Sequence, residues 1–162
     1  MKDISVLKKI NLLKDINDKN LEEIYNICKF KKYNTPTILF EYGSNTNFIF
    51  MIIKGKVEHL LPIQNERLIK FYVSEAGETI GLSSILPKEY RTLFTAKTFK
   101  GITEIVEIDR NELNELFQKN RSLGYIFIKQ VLKVYYRKKT TQNKILISSL
   151  LNHPEIKKYI DS

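Results

Sequence analysis

An internal disulfide is out of reach for this chain, because Cys28 is its only cysteine in 162 residues. The same scarcity excludes an iron–sulfur centre, which needs several thiolates. The two histidines, His59 and His153, are too far apart to suggest a zinc site. No stretch approaches the roughly 18 unbroken apolar residues that a bilayer-spanning helix needs. The N-terminal MKDISVLKKINLLKD carries charges every few residues, where a signal peptide would have an apolar core. These absences lead us to expect a reduced, cytoplasmic, soluble protein with no membrane partner. No nucleophile–base pair or paired carboxylates stand at usable spacing either, so the expectation is not an enzyme. Acid is missing from one whole region: between Glu115 and Glu155 there is none, while eight lysines and arginines fall there. Within a formal charge of +9, that run either attracts an acidic partner such as nucleic acid or forms a solvated helix face.

What is present suffices for one core, with 43% hydrophobic residues. Ile4, Leu7, Ile10 and Leu13 recur at helical spacing, and Asp18-Lys19-Asn20-Leu21 opens a second short helix. Cys28 lies on the apolar side of that segment and reads as a core filler. From Phe30 the period changes. Asn34-Thr35-Pro36 is a turn, FIFMII reads as a buried strand, Lys54-Gly55 as a tight hairpin turn, and KVEHLL as the returning strand. RLIKFYV alternates with Ile69, Phe71 and Val73 on one face, and ITEIVEI is a further strand. Many short strands between evenly spaced turns predict an antiparallel sandwich or barrel. Asp109-Arg110-Asn111-Glu112 then fits a capping box that starts a helix to about Lys119. Arg121 to Leu151 is a long helical segment, apolar in its first half and basic over RKKTTQNK. Its exposed apolar residues either meet a partner, often a second copy, or pack back onto the same domain.

In this order the motifs resemble the cyclic-nucleotide-binding domain, in particular the sensor half of Crp/Fnr-type bacterial transcription regulators. LKKINLLKDINDKNLEEI is similar to the family's helical lead-in, and EYGSNTNFIFMIIKGKVEHL to its strand pair, with Glu41, Gly43 and Gly55 matching. AGETIGLSSIL corresponds to the turn and short helix over the binding pocket, and ITEIVEIDRNEL to the last strand and following helix. The likeness covers roughly residues 5 to 150. It implies an α+β fold: an antiparallel, jelly-roll-like β-roll with short N-terminal helices and a long C-terminal dimerisation helix. The corresponding division is a sensor domain over 1–118, the helix over 119–152 and a tail over 153–162. The resemblance further implies a homodimer seam with Phe127, Ile128, Val131 and Tyr135, and DNA binding only through a missing or separate helix-turn-helix.

In relatives that bind cyclic nucleotides the pocket motif runs glycine, glutamate, small residues, then arginine with Ser or Thr. Glycine lets backbone N–H groups approach a phosphate, arginine supplies paired donors, and the glutamate accepts from the ribose hydroxyl. Here Gly81, Ser83 and Ser84 match the front of the motif and Arg91 and Thr92 the rear, but Leu82 occupies the glutamate position. A ribose hydroxyl buried against leucine loses a partner worth about 1.5–3 kcal/mol. That is on the order of ten- to a hundredfold in affinity. YRTLFTAKT fits the pattern with Arg91 in place or with Thr95-Ala96 in place, and not with both unless a gap is opened. Arg91 is therefore either an anion anchor or a loop arginine in water, and the serines either line the pocket or cap the short helix. Haem as the effector would call on His59, although one strand histidine more often belongs to a core.

Two functions follow from the likeness. The first is an effector-sensing regulatory domain of a Crp/Fnr-type regulator, not tuned to cyclic AMP, with no certain cofactor and a small-molecule effector left open. The alternative is a stand-alone cyclic-nucleotide-binding module that acts on a protein partner.

Overall fold

A computed structural model describes residues 3–63 and 67–154; residues 155–162, most of the expected tail, lie outside them. The chain opens with two short helices, α1 (Ser5–Lys8) and α2 (Asp18–Tyr25). The cap of α2 is Asn17, whose side-chain oxygen accepts from the Asn20 N–H at 2.9 Å. Eight strands follow: β1 (Cys28–Tyr33), β2 (Ile38–Phe40), β3 (Phe48–Lys54), β4 (Lys56–Pro62), β5 (Leu68–Glu75), β6 (Thr79–Ile80), β7 (Thr95–Thr98) and β8 (Thr103–Asp109). They form two antiparallel sheets, ordered β1-β8-β3-β6 and β2-β7-β4-β5. Two helices close the fold, α3 (Arg110–Lys119) and α4 (Arg121–Leu151). This is the α+β roll that the order of motifs implied.

The unbroken apolar run of β3 has a direct cause, since both of its faces are covered. Phe50 and Ile52 point between the sheets, where they meet Phe40, Val57, Ala96 and Ile105. Ile49 and Met51 point the other way, into a second core built with Leu7, Leu13, Ile24, Val106, Ile108 and Leu113. The first sheet is thus sandwiched between its partner sheet and the helices. The β3–β4 hairpin turns at Gly55 with φ +85°, where an added Cβ would lie 2.6 Å from the Ile102 carbonyl oxygen.

The alternation in β5 does not produce a buried face. Ile69 and Phe71 stay nearly half exposed, because β5 is the edge of the second sheet and pairs only with β4. Cys28 begins β1 rather than ending the preceding helix; its thiol donates to the Ile24 carbonyl at 3.2 Å, and burial pushes it up to about 12. It is an unreactive filler.

Asp109 caps α3 as its spacing suggests, accepting from the N–H groups of Asn111 (2.7 Å) and Glu112 (3.3 Å). Asn120 forms the corner between α3 and α4. Its oxygen accepts from the Leu123 N–H at 3.0 Å while its amide donates to Glu23 at 3.0 Å, which ties the corner to α2. From there α4 runs 31 residues, roughly 46 Å of helix.

Candidate functional site

The turn after β6 is shaped by close approach. Gly81 has φ +75°, and a Cβ there would sit 2.6 Å from the Phe48 carbonyl oxygen, so only glycine fits without strain. One turn of 3-10 helix follows over Leu82–Ile85. Leu82 is half buried and packs with Ile85 on the helix-side core. Ser83 is half buried; Ser84 is 2% exposed, and its hydroxyl has no hydrogen-bond partner among the described residues. The Ser84 hydroxyl therefore caps nothing.

Arg91 and Thr92 make their contacts with the 41–44 turn. The exposed Arg91 guanidinium donates to the Gly43 carbonyl at 3.2 Å. Thr92 is buried; its hydroxyl donates to the Glu41 carbonyl, and its N–H donates to the Ser44 carbonyl at 2.9 Å. The Gly43 N–H returns a bond to the Thr92 carbonyl at 2.9 Å. These contacts staple residues 91–92 to the 41–44 turn.

His59 lies against the inner aromatic cluster. Its ring stacks on Phe94 with centroids 3.9 Å apart, contacts Tyr72 edge-on, and pairs Nε2 with the Ser74 hydroxyl at 2.9 Å. Burial, and secondarily the charge of Lys138, bring its pKa down to about 3. It is a neutral core histidine held by packing on both sides.

The faces of α4 divide sharply. Leu123, Phe127 and Gln130 are buried and Val131 and Val134 half buried, all turned toward the chain's own body. Phe127 contacts the Phe117 ring at 5.2 Å and is 0% exposed. The seam expected to include Phe127 is corrected accordingly: a fully buried ring has no surface left for a partner. Val131, packed on the same core, shares that inward side. Ile128 and Tyr135 do face outward, and they align with two residues that the sequence reading missed, Tyr125 and Leu132. Positions 125, 128, 132 and 135 follow the 3–4–3 spacing of a helix seam, a signal visible in the sequence. From Lys139 to Leu151 every residue is exposed, so this half of the helix projects from the body.

Polar ties hold the first half in place. Gln130 and Lys133 both donate to Asp15, at 3.2 and 3.3 Å; first the Lys133 ammonium and then the Gln130 amide hold its carboxyl below the ordinary carboxylate value. One turn further on, Lys138 reaches Glu78 at 3.4 Å and the Thr79 carbonyl at 3.4 Å. Thr79 and Ile80 lead directly into the Gly81 turn, so α4 is tied to the strand that precedes it. Among the eight cations of the basic run, Lys133 and Lys138 have acidic partners among the described residues.

The geometry and the sequence point to one family. The sequence pattern of the cyclic nucleotide-binding domain matches residues 30–120, and the chain belongs to that family. A cyclic nucleotide-binding domain from Methylobacillus flagellatus KT is similar over 93% of this chain and 84% of its own, with 16% identity and a TM-score of 0.76. The N-terminal domain of a transcriptional regulator from Streptomyces coelicolor A3(2) is similar over 85% and 94%, with 16% identity and a TM-score of 0.68. The sensor domain of a transcriptional regulator from Pseudomonas aeruginosa is similar over 84% and 90%, with 12% identity and a TM-score of 0.64. At these identities the likeness concerns the fold. A search of curated proteins finds no match to the sequence. No helix among the described residues is long and apolar enough to cross a membrane.

Proposed function

We propose that the chain is the effector-sensing, non-catalytic regulatory domain of a Crp/Fnr-type transcription regulator, and that its pocket is not tuned to cyclic nucleotides. The observation that carries this reading is Leu82, which follows the Gly81 turn where nucleotide-binding relatives use an acid, and which packs on the helix-side core. With no carboxylate at position 82, a ribose hydroxyl lacks the acceptor that a glutamate would supply there. In this reading two copies associate through Tyr125, Ile128, Leu132 and Tyr135, a cytoplasmic homodimer forms, and a helix-turn-helix does the DNA reading. Signal would pass from the Gly81 turn through the Glu78–Lys138 tie to α4.

Calorimetry with cyclic AMP and cyclic GMP tests the pocket. The expected result is no binding at micromolar concentration by the native chain, and detectable binding after Leu82→Glu. Tight binding by the native chain would instead favour a cyclic-nucleotide-binding module that acts on a protein partner.

A further inference from the structure

A cleft of about 190 Å³ opens between α4, the segment after α1, and β6, on the side of the first sheet away from the roll interior. Asn11, Glu78, Thr79, Val134, Arg137 and Lys138 line it. It is smaller than the ~300–1,000 Å³ typical of sites for drug-sized molecules, so it suits a single compact group. Its charges are unevenly satisfied. The Glu78 carboxylate already accepts from the Tyr72 hydroxyl (3.2 Å) and the Glu75 N–H (2.9 Å), and it pairs with Lys138 at 3.4 Å. Arg137, exposed at the mouth, has no partner for its guanidinium among the described residues. With Glu78 and Lys138 offsetting one another, the cleft keeps one unspent positive charge with a fork of donors.

A second, independent feature points the same way. Thr79 is 3% exposed and its hydroxyl has no hydrogen-bond partner among the described residues. Its neighbour Ile80 points between the sheets, so strand alternation turns the Thr79 side chain to the outer face, where the cleft lies. Buried hydroxyls without partners are rare, since each forfeits its hydration. An oxyanion at the mouth would give this hydroxyl an acceptor and would engage the Arg137 fork and the Asn11 amide together. A tetrahedral phosphate offers enough acceptor oxygens for all of them and accepts arginine in bidentate fashion.

We infer that this cleft is a binding site for a small phosphate, either the free ion or a compact phosphomonoester. It is held by Arg137, Lys138 and the Thr79 hydroxyl, outside the roll and separate from the Gly81 cradle. Occupancy would fasten α4 to β6, at the point where the helix leaves the body. The inference does not depend on which effector, if any, the cradle takes.

Thermal unfolding of the full chain would be followed against inorganic phosphate and against glycerol 3-phosphate. Ionic strength is held constant with chloride, and acetate serves as a carboxylate control. The expected result is a saturable rise in midpoint with one or both phosphates, beyond anything seen with chloride or acetate; the stronger ligand distinguishes free ion from ester. Arg137→Gln, at an exposed position, should leave the unliganded midpoint unchanged and weaken the response on the order of tenfold to a hundredfold. Thr79→Val should raise the unliganded midpoint, because an unpartnered buried hydroxyl is removed, and yet weaken the phosphate response. An equal response in either variant, or no phosphate response above the chloride and acetate references, overturns the site.

Discussion

The two faces of α4 differ in a way that one helical period cannot convey. The inward face, with Leu123, Phe127 and Val131, completes a core shared with α1, α2, α3 and the outer side of β3 and β8. The outward face carries Tyr125, Ile128, Leu132 and Tyr135, between 40% and 67% exposed. The first face explains why this helix belongs to the domain, and the second carries the seam proposed between copies. An exposed aromatic and aliphatic stripe of this kind is the physical basis of that proposal.

The largest expected effect breaks the inward face. Phe127→Ala removes a fully buried ring and should destabilise the subunit by about 3–5 kcal/mol, read by urea denaturation. A loss under about 1 kcal/mol would mean that α4 is not part of the core. A second effect, spread over several pH units, comes from the interior that α4 only influences at a distance. His59 is held near pKa 3 in the fold against an ordinary 6.5, so between those values the unfolded chain binds more protons than the native one. Stability from this group is complete above pH 6.5 and is lost as pH falls toward 3, with a slope of at most ~1.4 kcal/mol per pH unit. His59→Gln should flatten that slope in pH-dependent unfolding, and an unchanged slope would place the titration elsewhere. Smallest is the tie where the helix leaves the body. Lys138→Met breaks a partly exposed ion pair and should cost about 1 kcal/mol or less, with the difference shrinking in high salt. A salt-independent loss would point to packing of the lysine stem instead.

These contrasts also mark what could be read from residues alone. The caps and turns were legible because their chemistry is local: Asp109 reaches only two and three residues ahead, and the tight turn at Gly55 itself demands a positive φ. The limits of α4 were legible for the same reason. Its orientation was not. Apolar residues occur on both sides of its first half, so periodicity alone could assign Phe127 to either one, and only the contact with Phe117 decides. In β5 the alternation was real, but an edge position leaves Ile69 and Phe71 half in water. Within the candidate site, the Gly81 turn and the apolar Leu82 after it were visible. The direction of Arg91 was hidden, because it depends on the path of residues 41–44, nearly fifty positions earlier. The Lys138–Glu78 tie likewise spans sixty positions, and no local pattern announces it.

The outward face gives the most direct test of the account. Sedimentation equilibrium of the native chain and of Leu132→Asp, at matched concentration, separates the two roles of the helix. We predict twice the chain mass for the native protein and a single, still folded chain for the variant, with subunit stability unchanged within about 0.5 kcal/mol. A native protein that sediments as one chain, or a variant that keeps the double mass, would contradict the assignment of Tyr125, Ile128, Leu132 and Tyr135 as the seam between copies.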